Sequence, residues 1–475
     1  MLNEKLLESF HQILGKENVL EDHSARSQKA TDLYALRLYQ KHIGWKPILP
    51  TIVVQPKNVE EVSKVLRLCN ENNIPVIPYG AGSGVLAGAE TIREDTVVID
   101  LKNLNKIFNL SHENLSVTCE AGVFIKDLEA YVNKKGYILG HYPQSMDLAQ
   151  MGGLVATRST GQFSTKYGGI EDLLLGIEAI LPNGNIINIK PNPRRSVGPD
   201  LKHLFLGSEG FIGIITKVTV KVFPKPETRW LQAYRVETMR QGLEIIRQIM
   251  REGVKPPVIR LHDWLECEKP YGGFMEEGES LLIFLSEGAK ELCEYEGKVI
   301  DRIAKENGSI SAGERPVEIW LKHRNDAVDE YEEYGAMGFL VDTIEISTNW
   351  ENIADIYEET VERVYYEVPE TIYFSGHSSH SYLNGTNIYF QVGAIPNAEI
   401  EEAEKVHSHI WDIIMEVTLK HGGSIGHHHG VGKHRTKYME KELDSSYELI
   451  KGIKEAFDPK GIMNPNVIIE EGRIK

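Results

Sequence analysis

The sequence predicts an α+β protein made of two successive domains, and three observations carry that expectation. A βαβ pattern lies just after residue 50, antiparallel strand patterns run on to residue 224, and a second alternation of strands and helices starts after Lys225-Pro226-Glu227.

Residues 1–46 read as a polar, mostly helical segment ending in TDLYALRLYQ. TIVVQP (51–56) is a β-branched run and reads as a strand. Asn58 then serves as N-cap with Glu61 three residues on, and Val62, Val65, Leu66 and Cys69 mark one helical face. PVIP (75–78) closes the βαβ unit. The loop PYGAGSGVLAGA (78–89) fits the dinucleotide pattern G-x-G-x-x-A, with Asp100 near its acidic position. That pattern requires a helix directly after the loop. Here polar residues lead straight into the strand VVID (97–100), so a Rossmann unit is rejected. A glycine loop between strands still aims backbone N–H groups at a pyrophosphate.

VTCEAG (117–122) reads as a strand and FIKDLEAYVNKKG (124–136) as a short helix. DLLLGIEAILPNGNIINI (172–189) gives two strands about an Asn183-Gly184 turn, and ITKVTVKVFP (215–224) alternates as a half-buried strand. Residues 229–410 read as the second α+β domain, while 400–421 and 445–459 are amphipathic helices. The expected units are therefore 1–46, 47–227, 228–410 and 411–475.

A chain of 475 residues, 41% hydrophobic and 25% charged, supports a large core. It has no apolar run of about 18 residues, and its charged N-terminus lacks a signal-peptide core, so a cytoplasmic location is expected. A net charge of −17 repels a phosphate backbone and argues against nucleic-acid partners. Cys69, Cys119, Cys267 and Cys293 are far apart, which fits a reducing compartment and no disulfide framework.

PYGAGSG (78–84), QSMDLAQMGGLVATRSTG (144–161), KYGGIEDLLLGIEAILPNG (166–184) and GSEGFIGIITKVTVKVFP (207–224), in that order, resemble the vanillyl-alcohol oxidase and p-cresol methylhydroxylase superfamily. The resemblance implies a two-subdomain flavin-binding fold followed by an α+β substrate (cap) domain. It implies FAD, with Pro78, Tyr79, Gly80, Ala81, Gly82, Ser83 and Gly84 around the pyrophosphate. Ser145, Asp147, Gly152, Gly153, Thr157, Arg158 and Gly161 would line the cofactor, with Glu209, Gly213 and Ile215 on its other side. The pyrophosphate loop has neither His nor Cys, so the FAD is expected to be non-covalent.

RRSVGPDLKHLFLGSEG (194–210), PPVIRLHDW (256–264), NGTNIYF (384–390) and GGSIGHHHGVGK (422–433) resemble the alkyldihydroxyacetonephosphate synthase family. Those enzymes exchange the acyl group of an acyl-dihydroxyacetone phosphate for an alkyl group through flavin N5 chemistry. The resemblance makes Tyr389, His428, His429 and Arg260 the catalytic candidates. His427, His377, His380 and Arg324 are substrate-binding candidates. Imidazole has a pKa suited to proton transfer, and a guanidinium fork suits an anion.

The glycolate oxidase and D-2-hydroxyacid dehydrogenase branch is also similar. There, GHVGDGNxH and GEHGIG segments supply metal ligands. This chain has GHSSHSYLNGTNIYF and HHHGVG, so Tyr389 replaces a histidine and His428 a glutamate; no metal is assigned, with a site of His377, His380 and His429 as the open alternative. Counting back from STNW (347–350), Tyr331 stands where the synthases carry a substrate arginine, with Arg324 in WLKHRND one to two turns earlier. An FAD-dependent oxidoreductase of a small 2-hydroxy acid is therefore the alternative expectation. Partners are expected to be a small anionic substrate, peripheral membrane contact if it carries a lipid chain, and a second copy in a homodimer.

Overall fold

The structure is a computed structural model that describes residues 3–326 and 330–470, with residue 330 described through its backbone alone. Three larger sheets and one two-stranded pair organise the described residues. The first carries Val76–Tyr79 and Ile52–Val54 parallel to Val97–Asp100, with Val19–Leu20 antiparallel at its edge. Asn58 caps the helix Val59–Glu71, its side chain accepting from the Glu61 amide at 2.9 Å, and that helix buries Val62, Val65, Leu66 and Cys69. No helix intervenes between Tyr79 and Val97, as the rejected Rossmann reading requires. The second sheet is antiparallel, in the order Ser116–Glu120, Ile214–Lys221, Leu174–Ile180, Ile186–Ile189. These two sheets form the halves of the first domain. The strand expected at 215–224 breaks at Val222, and Phe223–Pro224 pairs separately with Tyr137–Ile138.

The third sheet has seven antiparallel strands, and its register places the site. Val258–His262, Thr371–Ser378, Gly385–Ala394 and Leu340–Asn349 are neighbours. Side chains alternate between faces along a strand, and directly paired residues share a face. His262 pairs with His377, His377 with Tyr389, and Tyr389 with Glu345, so four polar side chains stand in one row. Arg260, Ser375, Gln391 and Thr343 stand two residues from members of that row and occupy the same face. The intervening Ile259, Leu261, Phe374, Ile388, Phe390, Ile344 and Ile346 turn the other way into the main core. Helices Met239–Arg251, Lys290–Glu306 and Ile353–Glu367 pack against the sheet there.

Two expected boundaries meet a different chain path. The N-terminal segment is knitted into the first domain, because Val19 and Leu20 pair with Val54 and Val53. The phenol of Tyr79 also donates to the Thr31 carbonyl at 3.1 Å. The helix Ile400–Lys420 runs through the boundary expected at residue 410. Beyond it the chain returns to the first domain, where Met463 bridges to Val76. Among the described residues no helix is long and apolar enough to cross a membrane.

Candidate active site

A crevice of about 540 Å³ runs from the glycine loop to the polar face of the large sheet. Residues 78–84 line one end of it, with Ser145, Gly152, Gly153, Thr157, Glu209, Gly213 and Ile215. The amides of Gly82, Ser83 and Gly84 donate to no backbone carbonyl among the described residues. Gly82 has φ +70°, and a Cβ there would meet the Tyr79 hydroxyl at 2.1 Å. A Cβ on Gly153 would meet nothing within 4 Å, which leaves open space over that turn. Unspent amides, no side chains and an open wall fit a pyrophosphate-bearing cofactor. No cysteine is among the lining residues.

Three of the expected cofactor residues lie outside this lining. Asp147 is exposed in a turn, and Arg158 is exposed and pairs with Glu171 at 3.4 Å. Gly161 serves close packing instead, since a Cβ there would sit 2.5 Å from the Tyr142 nitrogen. Sequence reasoning missed Asp32, Leu33, Ala35 and Leu38, which the N-terminal segment brings to the lining.

At the other end, Arg260, Arg324, His377, His380, Tyr389, His428 and His429 all line the crevice. His427 sits behind them, its Nε2 2.7 Å from the Tyr382 hydroxyl. Arg260 Nε donates to His262 Nε2 at 3.2 Å and Nη2 to His377 Nε2 at 2.8 Å. Both imidazoles therefore accept at Nε2 and carry their hydrogens on Nδ1. Those Nδ1 atoms lie 2.9 and 2.8 Å from the two oxygens of Glu266. Gln391 also donates to Glu266, at 3.1 Å. Burial alone would raise the Glu266 carboxyl, but the two histidines facing it hold it well below the usual range. Burial pushes His377 down to about 4, so it is neutral near pH 7. The result is a guanidinium braced through two imidazoles on one buried carboxylate. Arg260 is 8% exposed and stacks over Trp320 at 5.3 Å.

Arg324 follows the helix Arg315–His323, which also delivers Trp320. It donates to Gln162 Oε1 at 2.7 Å and lies over Tyr142, Phe163 and Trp320 at 5.2–5.9 Å. Neither arginine forms an ion pair among the described residues, and burial lowers the pKa of both. Such groups can take up the charge of an anion. Tyr331 also lines the crevice.

The three histidines are fixed by a residue that sequence reasoning missed. Ser424 bridges to Ser347 at the sheet edge, and the chain then loops over Glu345. One oxygen of Glu345 accepts from the amides of His427, His428 and His429 at 3.1, 3.1 and 2.8 Å. Its other oxygen lies 2.5 Å from Arg435 Nη2 and 3.0 Å from His429 Nδ1. Burial opposes ionisation of Glu345, but Arg435 and His429 outweigh it and hold the carboxyl well below its usual range. The contact to Glu345 holds the His429 ring on the crevice wall, where it can act as a proton acceptor. Burial raises the Tyr389 phenol well above its usual value, so Tyr389 is a neutral donor. Burial likewise holds His428 well below its usual value and His427 at about 4.

The loop continues into the first domain. Val431 and Gly432 donate to Glu209 Oε1 at 2.6 and 3.2 Å. Gly432 has φ +55°, and a Cβ there would lie 1.9 Å from the Leu86 carbonyl oxygen. Glu209 itself has φ +46°, a strained turn that aims its carboxyl at the loop. The ligand set of the hydroxyacid branch does not fit here. Both nitrogens of His377 are engaged by Glu266 and Arg260, and a phenol stands at residue 389.

The first domain matches the model of an FAD-binding domain over residues 50–190, and the second matches the C-terminal domain of FAD-linked oxidases over 225–468. The chain is 37% identical to the uncharacterized FAD-linked oxidoreductase YgcU of Escherichia coli K12, over 98% of both chains. It is 27% identical to glycolate oxidase subunit GlcD of Bacillus subtilis, over 98% of this chain and 97% of that one. A solved alkyldihydroxyacetonephosphate synthase has the same fold at 23% identity, with a TM-score of 0.83 over 98% of this chain and 86% of that chain. A glycine cradle open to a pyrophosphate, joined to a polar sheet face, is thus explained: the chain belongs to the FAD-linked oxidase family and is an FAD-dependent enzyme.

Proposed function

We propose that this enzyme oxidises a small hydroxylated acid. The observation that carries the reading is the composition of the substrate end. Among the described residues, every lining residue from the second domain is polar, charged or aromatic except Pro270; none of these is Leu, Ile, Val, Met or Phe. Buried Arg260 and half-buried Arg324, neither with an acidic partner among the described residues, face that space. A short anion suits such walls, whereas a long alkyl chain would leave them unsatisfied. The similarity to glycolate oxidase subunit GlcD supports the same reading.

When bound, FAD would take up the Cα hydrogen with its bonding pair, so that loss of this hydride and of the hydroxyl proton together leave the 2-oxo acid. Arg260 and Arg324 hold the carboxylate through charge-assisted hydrogen bonds. His429, steadied by Glu345, takes the hydroxyl proton at Nε2. Tyr389, a neutral phenol, donates a hydrogen bond to the same oxygen or to the carboxylate and keeps its proton.

A second reading, acyl-for-alkyl exchange of the synthase type, is favoured by the His427-His428-His429 loop and by Tyr389. One experiment separates them. Anaerobic holoenzyme is mixed with a panel of 2-hydroxy acids, and separately with acyl-dihydroxyacetone phosphate and hexadecanol. Bleaching of the flavin band by a hydroxy acid, lost in Arg260→Ala, is expected. An ether product without any bleaching would overturn the oxidation.

A further inference from the structure

We propose that His380, His427 and His428 form a site for one divalent transition-metal ion of the zinc class on the crevice wall. One ring nitrogen from each lies within 4.8 Å of the others. The ring centroids are 4.9 Å (His380–His427), 5.0 Å (His380–His428) and 5.0 Å (His427–His428) apart.

The hydrogen bonds select the ligand atoms. His380 Nδ1 lies 2.8 Å from Ser379 Oγ, while its Nε2 is buried and has no partner. His380 is 4% exposed, so this unpartnered nitrogen is shut off from bulk water, and it is available to a metal when Nδ1 carries the hydrogen to Ser379. His427 Nε2 is held by the Tyr382 hydroxyl at 2.7 Å, which leaves its Nδ1 inward. That Nδ1 faces His428 Nδ1 at 2.8 Å, where only one hydrogen can lie between two lone pairs. A metal ion uses all three lone pairs at once. Metal-bound histidines commonly have the remote ring nitrogen fixed by an outer partner, and the hydroxyls of Ser379 and Tyr382 stand in that position. Neutral imidazole suits zinc, nickel, copper and cobalt, and three such ligands leave a fourth position open. His380 and His428 line the crevice, so the open position faces it and would take an anionic oxygen.

The trio His262, Glu266 and His377 is the other cluster of this kind among the described residues. It is already spent, because both Nε2 atoms accept from Arg260, whose fixed charge repels a cation. The metal site does not depend on which reaction the enzyme catalyses.

The test uses FAD-loaded protein without a polyhistidine tag, stripped with EDTA. Zn²⁺ is titrated by calorimetry and Co²⁺ by its visible d–d bands. The expected result is one ion per chain with tetrahedral cobalt bands. Affinity should fall about a hundredfold in both His380→Ala and His427→Ala. The flavin spectrum of each variant reports that it folds, and binding to whichever variant folds decides the matter. Absence of saturable binding would overturn the proposal. So would binding unchanged in these variants, or binding lost in His262→Ala but kept in His380→Ala.

Discussion

Glu345→Gln removes one charge and one acceptor from the place where the histidine loop is fastened. In the wild type, Oε1 accepts from three consecutive amides and from Arg435 Nη1 at 2.9 Å, while Oε2 meets Arg435 Nη2 and His429. A carboxamide keeps only one oxygen. Its NH2 must then face either three amide donors or the guanidinium and His429. Arg435 is 0% exposed, so it loses its counter-charge without gaining water. Breaking a buried pair from one side costs about 3–5 kcal/mol, a large share of a typical total of about 5–15 kcal/mol. Turnover should fall about a hundredfold as the histidine loop loses its anchor and His429 its orienting charge.

Urea unfolding followed by tryptophan fluorescence reads the first effect. Stopped-flow bleaching of the flavin by the substrate reads the second. The stabilisation belongs to the ionised carboxylate, whose pKa is depressed. It is present above the unfolded value of about 4.3 and is lost as pH falls through the folded value. Between pH 5 and 8 the wild-type contribution should therefore be flat. The double variant Glu345→Leu with Arg435→Met should recover much of the stability but none of the turnover. A Glu345→Gln protein with wild-type urea midpoint and bleaching rate would refute the reasoning.

Arg260→Lys keeps the charge but loses the fork that reaches both His262 and His377, so anionic inhibitors should bind at least about tenfold more weakly with flavin content unchanged; flavin-quenching titrations measure this. Gly432→Ala places a Cβ against the Leu86 carbonyl at a positive φ, and the purified protein should be colourless or aggregated by its 450 nm absorbance. Glu209 is pushed up to about 7 by burial, despite the Val431 and Gly432 amides. A raised carboxyl costs stability that grows as pH rises from about 4.5 to 7, by about 3 kcal/mol in all. Glu209→Gln should therefore gain on wild type in thermal unfolding between pH 5 and pH 8, and a difference independent of pH would count against this.

The chain declared some of this openly and hid the rest in its strands. The glycine loop and the histidine run are local signals, since their chemistry sits in consecutive residues. The strand at 258–262 carries a local signal as well, Arg260 and His262 alternating with Ile259 and Leu261, although residues 229–410 read only as a general alternation. What could not be read was the register that aligns His262, His377, Tyr389 and Glu345, because pairing depends on residues more than a hundred positions apart. Glu345 still left a trace. It is the one carboxylate between Ile344 and Ile346 in a strand whose centre is buried on both sides. A charge in such a run signals a partner, here Arg435. Glu266 left no such trace, since it sits in the polar helix Trp264–Tyr271 among Glu268 and Lys269. Asp147 and Arg158 were assigned by position in a motif, and position does not settle which way a turn directs its side chains.

The loop at 427–432 also explains why an active site of this kind needs both domains. Its first three amides are held by Glu345 of the second domain and its last two by Glu209 of the first. The two clamps differ in charge. Glu345 is paired with Arg435 and stays ionised, whereas Glu209 has only amides and the more distant Lys433, and titrates near neutrality. The histidines are thus anchored firmly to the sheet that carries Arg260 and Tyr389, and more loosely to the domain that holds FAD. A perturbation at Glu345 should disturb proton transfer with the flavin still seated. One at Glu209 should shift the seating of the flavin against an intact set of histidines.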